Sequence, residues 1–315
     1  MESIVRMTFG SYLYGTNTPS SDVDYKGVFM PEVNDILLQR VPHSIAENTK
    51  KDDTKKSTKD DVDSEMYSLN HFVHLACQGE TVALDMLHAP VSAWMTHSDI
   101  WANLVAQRER FYTKNLKAFV GYARKQAAKY GVKGSRLAEA KRALAFLKTT
   151  PLATIEEVWS LLPEGEYCRR VYNDEGPLYY EVCGKKMSRG ARCGTYLPMM
   201  ELFVARYGER AKQAETNEGI DWKAVSHAFR AAYQVKHILV DGGYTYPLPE
   251  TEWIVNVKSG QMNFVKEVAP RLDELIDELE GLTARSTLPE TVDRDYWGNW
   301  LSETLLTSVR AHTLR

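Results

Sequence analysis

The sequence predicts an α+β fold: a small mixed β-sheet near the N-terminus, followed by a largely helical C-terminal region. Extended segments punctuated by turn residues fill the start of the chain. From Ser68 onward the apolar residues recur at helical spacing instead. At 315 residues and 43% hydrophobic content, the chain can bury one large core or two medium ones. The boundary is expected near residue 95, dividing a sheet core (1–95) from a mostly helical region (96–315).

Residues 4–9 read as a first strand and 23–30 as a second, closed by Pro31. The polar stretch 47–60 alternates in charge and reads as a mobile loop or a wide hairpin tip. Residues 61–67 make a candidate third strand with acids at alternate positions. Leu69, Phe72, Val73, Ala76 and Cys77 then begin a helical stripe that runs on to Pro90. Further helices are expected over 100–130 and over 135–148, the latter with Ser135 as N-cap. A short hairpin or meander is expected over 165–186, with turn residues at 173–177. The spacing predicts helices at 196–214 and at 222–240, the second ending where Gly242 can cap it. A last long helix is expected over 259–280, with Pro270 a kink or break.

Composition narrows the function classes. No apolar run approaches the roughly 18 residues of a membrane span, and the N-terminal residues carry no signal pattern, so a cytoplasmic protein is expected. Cys77, Cys168, Cys183 and Cys193 form no C-x-x-C pair and read as reduced thiols rather than zinc ligands. The net charge is −3, yet residues 108–148 alone carry +10, with Tyr112, Tyr122 and Tyr130 interleaved. Such a stripe suits a polyphosphate or nucleic-acid backbone, and equally a solvated helical face.

The chemistry concentrates in MTFGSYLYGTNTPSSDVDYKGVFM. A strand ends in Gly10-Ser11, a polar turn follows, and Asp22 and Asp24 stand one residue apart in the next extended stretch. Alternation sends both carboxylates the same way, where like charges repel. A divalent cation removes that repulsion, and Mg²⁺ (or Mn²⁺) takes one or two carboxylates together with substrate phosphates. Gly10 permits close backbone approach, and Ser11 offers a hydroxyl, both suited to phosphate. Two-metal phosphoryl chemistry calls for a third acid, with Asp63 favoured and Asp61 and Glu65 on the same face. An isolated Asp-x-Asp or Gly-Ser means little, since either can be turn chemistry; the ordered set of strand, Gly-Ser, Asp-x-Asp and third acid carries the reading. His71 and His74 have metal-ligand spacing without a third ligand nearby. The basic run 185–192 reads as a solvated loop or a polyanion contact, and the seven tryptophans as core anchors.

This ordered set resembles the signature of the DNA polymerase β nucleotidyltransferase superfamily. The form Gly10-Ser11-Tyr12-Leu13-Tyr14-Gly15 with Ser20-Ser21-Asp22-Val23-Asp24 resembles a narrower bacterial and bacteriophage group, some members of which are encoded beside RNA ligases. Weaker likenesses run through Tyr67-Ser68-Leu69, 79–87, 122–136 and His227-Ala228-Phe229-Arg230, covering most of residues 4–250. The resemblance implies a nucleotidyltransferase core in which Asp22, Asp24 and Asp63 are catalytic metal ligands and Gly10 and Ser11 hold the β- and γ-phosphates. By the same likeness Arg124, Lys133, Arg136, His227 and Arg230 would contact phosphate or acceptor. The expected reaction moves a nucleoside monophosphate from a nucleoside triphosphate to an acceptor hydroxyl, with pyrophosphate released. A nucleic-acid end is the favoured acceptor, ahead of a protein side chain or a small molecule. A module that binds nucleotide or nucleic acid without chemistry, and a metal-dependent phosphohydrolase, are the alternatives.

Overall fold

Strand β1 (Glu2–Phe9) buries Ile4, Val5, Met7 and Phe9 while Arg6 faces solvent. A register shift between Ser3 and Val5 lets two consecutive residues turn inward. In the computed structural model, which describes residues 2–19, 21–48, 62–114, 134–174 and 176–313, β1 lies in a five-stranded mixed sheet. Its partners are β2 (Val23–Met30), β3 (Ser44–Asn48), β4 (Val62–Ser68) and β5 (Trp94–His97), in the order β3-β4-β2-β1-β5. Only β2 and β4 run parallel. The first three predicted strands are present; β3 and β5 were not foreseen. The expected loop over 47–60 falls mostly outside the described residues.

Helix α1 (Gly10–Tyr14) follows β1 directly, and α2 (Val33–Leu37) follows β2. The stripe after Ser68 is two helices, α3 (Leu69–Cys77) and α4 (Thr81–Leu87). Gly79 at φ +70° breaks it, a conformation incompatible with one continuous helix. Helix α5 (Asp99–Ala106) is followed by a 3₁₀ turn over Arg108–Phe111 and extended backbone at Tyr112, so the expected helix over 100–130 is interrupted there; its part from 115 to 130 lies outside the described residues. The apolar faces of these helices bury Phe72, Leu84, Trp101 and Leu104.

Helix α6 (Gly134–Thr149) already includes Ser135, which is therefore inside the helix and not its cap. The predicted meander is β6 (Cys168–Asn173), β7 (Gly176–Val182) and β8 (Lys185–Ser188), an antiparallel sheet. Helices α7 (Leu197–Glu215) and α8 (Trp222–Asp241) lie as expected. The last predicted helix differs: α9 (Thr251–Ser259) precedes it, a π-helical turn covers Phe264–Val268, and α10 (Ala269–Arg285) begins beside Pro270. Proline fits there because the first turn needs no amide donor. A further helix, α11 (Arg294–Thr313), follows.

The chain forms two units: residues 1–125, 222–261 and 272–315 in one, and 126–221 with 262–271 in the other. Residue 95, the expected boundary, falls within the first unit. Helices α8 and α9 return to the first unit because they bond to it, through Arg230 to Asp85 and Lys258 to Thr16. The second unit has its own core, where Ala140, Ala143 and Leu147 of α6 meet Tyr180, Val182 and Met187 of the three-stranded sheet. Among the described residues no helix is long and apolar enough to cross a membrane.

Candidate active site

Strand register builds the site. Parallel pairing sets Asp24 opposite Asp63 and Lys26 opposite Glu65. Lys26 Nζ lies 2.7 Å from Glu65 Oε2, so those two side chains share a face. Asp24 and Asp63 stand one alternation earlier and share the same face. Antiparallel pairing sets Phe9 of β1 opposite Asp24, which carries the departing chain across Asp24 as Gly10-Ser11. Gly10 adopts φ +61°, and a Cβ added there would stand 1.8 Å from Asp24 Oδ2. Both the conformation and the space demand glycine.

The register also separates the candidates for the third acid. Glu65 accepts hydrogen bonds from Lys26 at 2.7 Å, Ser44 at 2.9 Å and Tyr67 at 2.6 Å. Burial works to raise its pKa, but those donors prevail and hold it below the usual carboxylate range. Asp63 is solvent-exposed and adjacent to Asp24. Asp61 lies outside the described residues.

Asp24 is half-buried and its pKa is raised, first by burial and then by the charges of Asp22 and Asp63; Lys26 and Lys223 oppose the shift. The charges of Asp22 and Asp63 thus both bear on Asp24 near the start of β2. Among the described residues no three His, Cys, Asp or Glu side chains form a closed metal-binding group. Magnesium needs only one or two protein carboxylates, the remaining positions going to water and phosphate oxygens, so the chemistry of this donor set fits the ion. Ser11 Oγ is buried and makes no hydrogen bond among the described residues, and a buried hydroxyl without a partner is costly unless a ligand supplies one.

The matching family model, over residues 3–150, is described as the RNA repair pathway DNA polymerase beta family. A protein of Enterobacteria phage T4, described as an uncharacterized 38.9 kDa protein in the nrdC–mobD intergenic region, is 39% identical over 342 aligned positions, spanning 99% of each chain. The chain belongs to the RNA repair pathway DNA polymerase β family. That membership indicates activity of the nucleotidyltransferase type. No solved structure matches. The family match contains Gly10, Ser11, Asp22, Asp24 and Asp63, whereas the likeness to the phage protein extends over the returning helices as well.

The outlying residues expected from the family resemblance have the following surroundings. Arg124 and Lys133 lie outside the described residues. Arg136 belongs to the second unit, where it donates to the Cys183 carbonyl at 3.2 Å and lies over the Tyr167 and Tyr207 rings. His227 is half-buried on α8, one turn beyond Lys223. Arg230 pairs with Asp85, at 2.6 Å, with its guanidinium 3.7 Å above the Tyr14 ring. Within the basic segment, Lys114 pairs with Glu290, Lys148 with Glu201, and Arg142 donates to the Glu164 carbonyl. These three cations have protein partners, and residues 115–133 of the segment lie outside the described ones. His71 stacks on His43 with ring centroids 4.4 Å apart.

Three residues of the first unit were missed. Asp85, 1% exposed, accepts from Tyr14 at 2.8 Å, Gln234 at 2.6 Å and Tyr246 at 2.7 Å in addition to Arg230. One acid inside the apolar run Val82-Ala83-Leu84-Asp85-Met86-Leu87 was a legible signal, because a buried charge needs a partner. Lys223 and Lys258, on α8 and α9, had no such mark. Lys258 Nζ donates to the Thr16 carbonyl at 2.8 Å, just after the signature turn.

Proposed function

We propose that the chain is a metal-dependent nucleotidyltransferase that moves a nucleoside monophosphate from a nucleoside triphosphate to an acceptor hydroxyl. The observation that carries the reading is the register that sets Asp24 beside Asp63 while Gly10 lies against the Asp24 carboxylate. Asp22 and Asp24 would hold Mg²⁺ or Mn²⁺, with Asp63 completing the acidic set; the ion, when bound, neutralises phosphate charge and acidifies the acceptor hydroxyl. The Ser11 hydroxyl gains in a phosphate oxygen the hydrogen-bond partner it lacks. Gly10, having no side chain, lets the triphosphate come close to Asp24. Asp63, which is exposed, would take the proton as the acceptor oxygen bonds to the α-phosphorus and the bond from that phosphorus to the β-phosphate oxygen breaks, releasing pyrophosphate. Positioning and charge stabilisation supply the rate, as in phosphoryl transfer generally.

A nucleic-acid end is the favoured acceptor, and the description of the family as part of an RNA repair pathway supports it. The test is incubation with each labelled triphosphate, Mg²⁺ or Mn²⁺, and RNA, DNA and protein acceptors. Label on RNA in a metal-dependent reaction supports the reading. Label on protein moves the acceptor to a side chain, and free phosphate without any labelled acceptor replaces transfer by hydrolysis.

A further inference from the structure

We infer that Lys223 and Lys258, brought together by α8 and α9, form a clamp for the terminal phosphates of the incoming triphosphate. The inference rests on the nucleotidyltransferase reading for its ligand, but its geometry is independent of the acids' chemistry.

Helix α9 runs beside the signature turn. Thr251 Oγ1 donates to the Tyr14 carbonyl at 3.5 Å, and Lys258 Nζ donates to the Thr16 carbonyl at 2.8 Å two turns later. The end of α9 meets the start of α8: a Cβ added at Gly260 would stand 2.8 Å from the Trp222 indole. Trp222 precedes Lys223 and Gly260 follows Lys258 by two residues, so this contact draws the two ammonium-bearing segments together. The charges of the two lysines bear on each other: burial and then Lys223 lower the pKa of Lys258, and the charge of Asp22 opposes that.

Two cations brought toward one another repel, as two carboxylates do, and Lys258 Nζ bonds to the neutral Thr16 carbonyl rather than to a carboxylate. A cation on Asp22 and Asp24 would deprive the lysines of the neighbouring negative charge. A polyanion that reaches from the acids to the lysines satisfies both, and a triphosphate has that charge and extension. Lys223 is exposed at the first turn of α8, whereas Lys258 is half-buried and anchored through Thr16. Lysine suits this task as a compact point charge on a flexible stem.

The experiment measures binding of inorganic tripolyphosphate by calorimetry, and the KM for the incorporated nucleotide, in wild type, Lys223→Met, Lys258→Met and Lys258→Arg. Thermal melting monitors folding, and Lys223, being exposed, is the variant least able to disturb it. The clamp predicts that either methionine variant weakens tripolyphosphate binding at least tenfold and raises KM by a similar factor, with Lys258→Arg retaining most of the affinity. Lysine-dependent tripolyphosphate binding in a wild type that transfers no nucleotide supports the clamp while removing the nucleotidyltransferase reading. Unchanged tripolyphosphate affinity and KM in both methionine variants overturn the clamp and leave that reading intact.

Discussion

Gly10 lies against Asp24 so closely that a Cβ at position 10 would stand 1.8 Å from the Asp24 Oδ2. The contact couples the phosphate-facing turn to the acid beneath it, and a left-handed φ of +61° adds to the demand for glycine. Gly10→Ala is therefore expected to displace the Asp24 carboxylate. A shift of about 1 Å in a reacting group costs on the order of a hundredfold in rate. Steady-state nucleotide incorporation checks this, and near-normal turnover in a folded Gly10→Ala protein would show that the two residues need not touch during the reaction.

The pairing of β2 with β4 separates two acids that sequence alone leaves equivalent. Asp63 sits beside Asp24, while Glu65 is engaged by Lys26, Ser44 and Tyr67. Asp63→Asn should lower incorporation by about a hundredfold or more, the scale of losing one charge-stabilising group, with little change in melting temperature. Glu65→Gln should do the reverse, lowering stability with a smaller effect on turnover. Parallel activity and melting curves for the two variants decide the assignment, and the opposite ranking would move the third acid to Glu65.

The Asp85 cluster has a structural consequence. A carboxylate 1% exposed, tied to Arg230, Tyr14, Gln234 and Tyr246, joins the signature helix to α4 and α8. Removing one partner of a buried ion pair leaves the other uncompensated, so Arg230→Met is expected to cost about 3–5 kcal/mol. Urea unfolding measures it. A loss under about 1 kcal/mol, the usual size for exposed pairs, would mean that the pair contributes no more than a surface contact.

Much of this was legible in the sequence, for identifiable reasons. Strands at 2–9, 23–30 and 62–68 follow from apolar stretches bounded by Gly, Pro and polar residues, and the carboxylates fall at their ends. Short elements such as β5 and α2 were missed, since four or five residues hold too little periodicity to register. The expected helix over 100–130 is broken at Arg108–Phe111, where the composition stays helix-compatible while the backbone turns. The roles of Asp85, Lys223 and Lys258 depend on segments far apart in sequence meeting in space, which no local pattern encodes. Arg230 pairs with Asp85, 145 positions earlier, a partner that the block around it does not announce.

His88 supplies a pH dependence of stability. Burial lowers its pKa from 6.5 to about 4, against a hydrogen bond to the Leu84 carbonyl that works the other way. Nδ1 donates to that carbonyl at 2.7 Å, so Nε2 accepts from Tyr112 Oη, also at 2.7 Å, and the ring is neutral. The unfolded chain binds a proton near pH 6.5 that the folded protein refuses until about 4, so stability is full above 6.5 and falls as pH drops through this window. The loss amounts to at most about 3 kcal/mol. Denaturant midpoints between pH 7 and 4 should fall less steeply in His88→Gln than in wild type; parallel slopes would show that His88 does not titrate differently on unfolding.

The most direct measurement is incorporation of labelled nucleotide into RNA by wild type and by Asp24→Asn, with and without added Mg²⁺ or Mn²⁺. The account predicts metal-dependent incorporation with pyrophosphate release in wild type and none above background in Asp24→Asn, although both melt at similar temperatures. Near-normal incorporation by Asp24→Asn, or incorporation by wild type that ignores the metal, would contradict it.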